Sequence, residues 1–150
     1  MDALLAAIVV WLSANFGLSA TFDHPSIEFA PPQKIVALRY RAFTNGQWQT
    51  GAPLGLPASG DIVAIYDDNA RTIYLPQDWK GRSPAELSVL VHEMVHHLQN
   101  VGGLRFECPQ QREQLAYEAQ ERWLALFGRN LSNDFGMDGL SILVKSKCFY

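Results

Sequence analysis

Ser83-Pro84-Ala85-Glu86-Leu87-Ser88-Val89-Leu90-Val91-His92-Glu93-Met94-Val95-His96-His97-Leu98-Gln99-Asn100 is the stretch from which the rest of this chain is read. It opens with a helix-start signal: Ser at the N-cap, Pro at the first helical position and Glu three residues after the Ser. Leu87, Leu90, Val91, Met94, Val95 and Leu98 then recur three and four apart, the period of a helix with a buried face. The spacing predicts a helix from Pro84 to about Asn100, with Gly102-Gly103 in the loop that follows. Inside it, His92-Glu93-Met94-Val95-His96 has the form HExxH. Residues four apart share a helix face. Both imidazoles can therefore reach one metal ion, and tetrahedral zinc accepts such nitrogen ligands. Glu93 follows directly on the first histidine, beside the position where water would bind. A metal lowers the pKa of that water, and a carboxylate can take its proton. His and Glu also interrupt a strongly apolar pattern, where buried polar groups need partners. A helix whose His and Glu face solvent, or are simply hydrogen-bonded, is the other reading of the same pattern.

Two histidines leave a catalytic zinc one protein ligand short. His97 is turned by about 100° from His96 around the helix, so it reads as a surface residue or as support behind the ligands. Candidates lie on a second helix, expected from near Pro109 to Phe127 with Gly128 as its C-cap. Its apolar positions are Leu115, Ala116, Ala119, Trp123, Leu124 and Phe127, and its region carries Glu107, Glu113, Glu118 and Glu121. The apolar face must pack on the first helix, which favours a Glu near the helix start. Glu113 is therefore preferred over Glu118, while Glu107 and Glu121 read as surface charge.

Glu113-Gln114-Leu115-Ala116-Tyr117 resembles the Glu-x-x-Ala-Asp/Asn element of the Glu-zincins, in which the Glu is the third zinc ligand. In that group the residue after Ala often hydrogen-bonds a ligand histidine; here that position is Tyr117, a departure from Asp or Asn that leaves the role open. TIYLP, PAELSVLVHEMVHHLQN, Cys108-Pro109 and REQLAYEAQERWLALFG together resemble a small uncharacterised bacterial family of candidate metallopeptidases, over roughly Tyr66 to Gly128. The resemblance implies a zincin-like helix pair and no particular substrate. Zincins have a small sheet beside the HExxH helix, with an edge strand along the cleft to which an extended peptide can add. Arg71 to Leu75, the last strand before the helix, is the candidate edge; a hairpin that only covers the core is the alternative. Tyr66, Tyr74 and Trp79 read as cleft or as core aromatics.

Upstream, Asp61 to Tyr66 and Arg71 to Leu75 read as a hairpin around the Asp67-Asp68-Asn69 turn. Gly51 to Gly60 reads as an irregular loop, Asn45-Gly46 as a turn and Lys34 to Tyr40 (KIVALRY) as a short strand after Pro31-Pro32. Near the C-terminus, Ile142-Leu143-Val144 suits a last strand or a packed extension. Ala3 to Leu12 is too short to span a membrane, which takes about 20 apolar residues. No Lys or Arg precedes it, and the first basic residue is Lys34. It reads as a core helix stopping near Gly17, with any signal peptide lying further upstream.

The chain has 150 residues, 12 basic and 15 acidic side chains, 18% charged residues and 11% aromatics. That length suits one domain (1–150) with a real core, and the aromatics argue against disorder. A formal charge of −3 with no basic cluster argues against nucleic acid or an anionic membrane surface as the main partner. Cys108 and Cys148 match neither a zinc knuckle nor a CxxC motif. They are either two buried thiols or one disulfide. A disulfide would favour a periplasmic or secreted protein.

These readings converge on an α+β, zincin-like single domain: a small antiparallel sheet packed on the HExxH helix and a second helix. The expected function is that of a zinc-dependent hydrolase acting on a peptide or protein substrate. His92, His96 and Glu113 would hold Zn2+, Glu93 would activate water, and Tyr117 or His97 would assist. A zinc amidase acting on cell-wall peptides and a non-catalytic zinc-containing binding module are the rival readings. Glu93 argues against the binding module, because a structural site needs no base.

Overall fold

Helix α3 (Pro84–Val101) is the element around which the others are arranged. Residues 1–44 and 64–148 are described, by a computed structural model. Every residue of α3 from Ser88 to Gln99 is buried. A helix buried all round needs cover on each side. Helix α1 (Asp2–Phe16), helix α4 (Gln111–Ala125) and the sheet provide it.

The start of α3 follows its signal. Ser83 accepts a hydrogen bond from the Glu86 backbone N–H at 3.1 Å, with Pro84 in the first turn. The Glu86 carboxylate reaches past the cap and accepts from the backbone N–H groups of Lys80 (2.6 Å) and Gly81 (2.8 Å). Trp79 Nε1 donates to the Glu86 carbonyl at 2.9 Å, so the loop before the helix is tied to its first turn. Ser83→Ala is expected to cost about 1 kcal/mol. Thermal unfolding reads this as a midpoint about 2–4 °C lower. An unchanged midpoint would remove the cap from the account of α3.

The N-terminal segment is the expected core helix. Leu5, Ile8, Val9 and Leu12 form its buried stripe, and Gly17 ends it at φ 68° with its N–H bonded to the Ser13 carbonyl. Trp11 meets Trp123 of α4 edge-on at 5.3 Å between ring centroids. Among the described residues, no helix is long and apolar enough to cross a membrane.

The segment after Pro31 corrects the expected strand at Lys34 to Tyr40. It is helix α2 (Pro32–Thr44). Pro32 sits in its first position, where a missing N–H costs nothing. Ile35 is fully buried, and Leu38 and Arg39, three and four residues on, are part-buried while Ala37 between them is exposed. The Ile-Val pair suggested a strand, but the inward positions follow the helical period.

Strands β2 (Ile65–Asp67) and β3 (Thr72–Pro76) form the expected antiparallel hairpin, with Tyr66 opposite Ile73. A third strand, β1 (Ser26–Ala30), runs parallel to β3 from Ser26 opposite Thr72 to Ala30 opposite Pro76, so the sheet is mixed. The order β1-β3-β2 makes β3 the central strand and corrects its expected place at an edge. Its burial agrees: Thr72, Ile73, Leu75 and Pro76 are all buried, as in a strand covered on both faces. Tyr66 and Trp79 belong to the core. Asn45-Gly46, the Gly51 to Gly60 loop and residues 61–63 of the first hairpin strand lie outside the described residues.

After α4 come two short helices, α5 (Leu131–Phe135) and α6 (Gly139–Ser146). Ile142-Leu143-Val144 is thus the packed extension, in helical form, and the strand alternative falls. Cys148, just beyond α6, is bonded to Cys108, just before α4.

Candidate metal centre

Ala116, Ala119 and Leu124 of α4 are completely buried, and α4 packs along α3. Small alanines at the contact let the two helices approach closely. The first turn of α4, with Glu113, therefore lies against the second half of α3, with His92 and His96.

The Nε2 atoms of His92 and His96 are 3.2 Å apart. Glu113 Oε2 lies 2.9 Å from His92 Nε2, and Oε1 lies 3.2 Å from His96 Nε2. Ligand atoms on a tetrahedral ion with bonds of about 2.0–2.2 Å are roughly 3.3–3.6 Å apart. Two imidazole nitrogens and a carboxylate are the right donors for such an ion; they stand slightly closer together than that, and the group could hold a metal. The histidine side chains are 11% and 9% exposed and Glu113 26%, so the cluster opens to solvent on the Glu113 side.

Burial alone would lower the pKa of His96, but the charge and hydrogen bond of Glu113, with the charge of Glu93, raise it to about 9. Burial would raise Glu113, and His96 and His92 hold it well below the ordinary carboxylate range instead. The His96 contribution is complete below its ordinary value of 6.5 and is lost as pH rises through about 9. The Glu113 contribution is present above its ordinary value of 4.5 and is lost on acidification below that. Thermal unfolding in excess chelator should therefore show a stability plateau from about pH 4.5 to 6.5 that declines toward 9. Glu113→Gln should flatten the alkaline decline. An equally steep decline in that variant would mean that the pair does not cause it.

Glu93 is buried at 6% exposure, and no hydrogen bond to its carboxylate is seen among the described residues. Its charge acts on His96, which puts the carboxylate beside the cluster. Tyr117 is brought to the same place: its ring meets the His92 ring edge-on at 4.7 Å. Burial, reinforced by the charges of Glu113 and Glu93, pushes its phenol far up, so it stays protonated at neutral pH.

Other candidates are set aside by position. Glu118 is exposed and lines an open surface groove with Arg105, Phe106 and Gln114, away from the histidines. Glu121, expected as plain surface charge, accepts the backbone N–H of Leu131 at 2.7 Å and so holds the start of α5. His97 points to the opposite side, between the Tyr66 hydroxyl (3.0 Å from Nδ1) and the Asp23 carbonyl (2.7 Å from Nε2). Burial lowers its pKa, and it is a core residue rather than a ligand.

Sequence reasoning missed the groups behind the cluster. Gln120 Oε1 is 3.0 Å from His92 Nδ1, and Gln99 Oε1 is 3.0 Å from His96 Nδ1. Arg112, next to Glu113, forms a two-pronged ion pair with Asp68 in the β2–β3 turn at 2.7 and 2.9 Å. Helical spacing held a signal for both glutamines: Gln99 is three residues after His96, and Gln120 is seven after Glu113.

The fold and site together define a small α+β domain built on an HExxH helix, with a two-histidine, one-carboxylate cluster able to take a metal ion. A family model described as Domain of unknown function (DUF6647) matches residues 1–150, and the chain belongs to that family. No curated protein and no solved structure matches it.

Proposed function

We propose that this protein is a zinc-dependent hydrolase of the zincin type, acting on peptide bonds. The observation that carries the reading is the convergence of His92 Nε2, His96 Nε2 and Glu113 within 2.9–3.2 Å, beside a buried Glu93. His92, His96 and Glu113 would hold the metal. Bound zinc would supply Lewis acidity toward a carbonyl and lower the pKa of water in the open coordination position. Glu93 is the proton acceptor: its carboxylate lies next to the cluster. Tyr117 keeps its proton at neutral pH and is the candidate donor toward the oxyanion that develops during acyl transfer. A buried carboxylate beside the cluster favours catalysis over a purely structural zinc site, which needs no base.

The Cys108–Cys148 bond supports an oxidising compartment, and we place the protein in the periplasm or outside the cell on that ground.

Metal analysis tests the site. Purified protein is expected to bind one zinc per chain, and His96→Ala to lose it, because two remaining ligands do not make a closed site. Stoichiometric zinc retained by His96→Ala would overturn the ligand assignment.

A further inference from the structure

Gln99 and Gln120 are 1% and 5% exposed and stand behind the two candidate ligand histidines. Each is the middle link in a run of hydrogen bonds that ends on a backbone carbonyl. The carbonyl fixes the direction of every bond in the run, because it can only accept.

The first run begins at the Arg112 carbonyl, 3.1 Å from Gln99 Nε2. The NH2 end of Gln99 must face that oxygen, so its Oε1 faces His96 Nδ1 at 3.0 Å. An amide oxygen only accepts, so His96 Nδ1 carries a proton. The second run begins at the Ala85 carbonyl, to which the Ser88 hydroxyl donates at 2.7 Å. With its one proton committed, the hydroxyl accepts from Gln120 Nε2 at 3.2 Å. Gln120 Oε1 therefore faces His92 Nδ1 at 3.0 Å, and that nitrogen is protonated as well. In the neutral imidazoles the lone pair is then on Nε2, the atom of each ring that faces Glu113.

We infer that Gln99 and Gln120, with Ser88 behind Gln120, are positioning residues that fix the tautomer and ring orientation of both ligand histidines. This rests on the reading of His92, His96 and Glu113 as zinc ligands. Outer partners of this kind govern metal affinity, and a carboxylate in their place raises the basicity of the imidazole. Here both partners are neutral amides. They orient the rings without adding charge, and Glu113 is the single anion among the three ligands.

The experiment is zinc titration against a chromophoric chelator, using the metal-free wild type, Gln120→Met, Gln120→Glu, Gln99→Met and Gln99→Glu. It is paired with 15N NMR of the imidazoles in the zinc-loaded wild type. The Met variants keep the bulk and lose the acceptor, and should bind zinc about 10–100-fold more weakly. The Glu variants keep the acceptor and should bind as wild type or more tightly. A merely structural role would lower the unfolding temperature of the Met variants without separating Met from Glu in zinc affinity. NMR should show zinc on Nε2 and the proton on Nδ1 for both histidines. Met variants that bind zinc as wild type would overturn the inference, as would Nδ1 ligation in the wild type, a result that needs no variant to fold. A wild type that takes up no zinc would overturn the metal reading itself, and this inference with it.

Discussion

Glu93→Gln should lower peptide hydrolysis by about 10²–10⁴-fold, the usual contribution of a positioned acid–base group. That corresponds to roughly 3–5 kcal/mol of barrier. Zinc affinity should hardly change, because the carboxylate is not among the three groups that converge on one point. Gln keeps the shape of Glu and its capacity to accept a hydrogen bond, but it takes up no proton. Loss of turnover with retained metal thus isolates proton transfer from metal binding. The measurement is a rate on a peptide substrate selected from a library with the wild type, alongside zinc content. A Glu93→Gln protein that holds zinc and cleaves that peptide at the wild-type rate would sink the assignment of the base. A wild type that binds zinc and hydrolyses nothing in such a library would instead favour the binding-module reading.

Opening the disulfide should have the second large effect. Cys108 and Cys148 are 40 residues apart in sequence, and the bond between them ties the end of α6 to the segment leading into α4. In the loop-closure account, a loop of that length stabilises the fold by about 3–4 kcal/mol. For a chain of 150 residues that is roughly 6–16 °C in unfolding midpoint. Cys108→Ser with Cys148→Ser, or reduction of the wild type, should lower the midpoint by this amount. The His92–His96 pair should persist, since both residues sit on α3, whose cover by α1 and the sheet does not involve the disulfide. A midpoint that does not respond to reduction would mean that the bond does not constrain the unfolded chain, and would weaken the case for an oxidising compartment.

How much was readable beforehand varies with the range of the interaction involved. Ser83, Pro84 and the apolar repeat up to Leu98 act within a few residues of each other, so α3 and its start were readable from the chain alone. The pairing of His92 with His96 was readable for the same reason. The Asp67-Asp68-Asn69 turn was also local: Asp67 Oδ1 accepts the backbone N–H groups of Asn69 and Ala70 at 2.9 and 3.1 Å. The expectations that failed were of a different kind. Strand β1 has exposed Glu28 and Phe29 and little alternation, and its partner on β3 lies 46 residues further along the chain. Without β1, the strand at Thr72–Pro76 looked like an edge. At Lys34 to Tyr40, the β-branched Ile35-Val36 pair outweighed a helix start at Pro32, because burial on the helical period is visible only after packing.

The sequence alone determined the capped helix, the face that carries His92 and His96, the carboxylate between them, and a second helix rich in candidate carboxylates. Each is written in spacings of three or four residues, which backbone geometry converts directly into position. The tertiary structure decided which carboxylate meets the histidines. Ala116 and Ala119 set the contact between α3 and α4, and this turns Glu113 inward and leaves Glu118 at the surface. It also decided that Gln99 and Gln120 stand behind the imidazoles and that β3 lies at the centre of its sheet. Those outcomes depend on how faces far apart in the chain come together, and nothing within a single helix or strand specifies that.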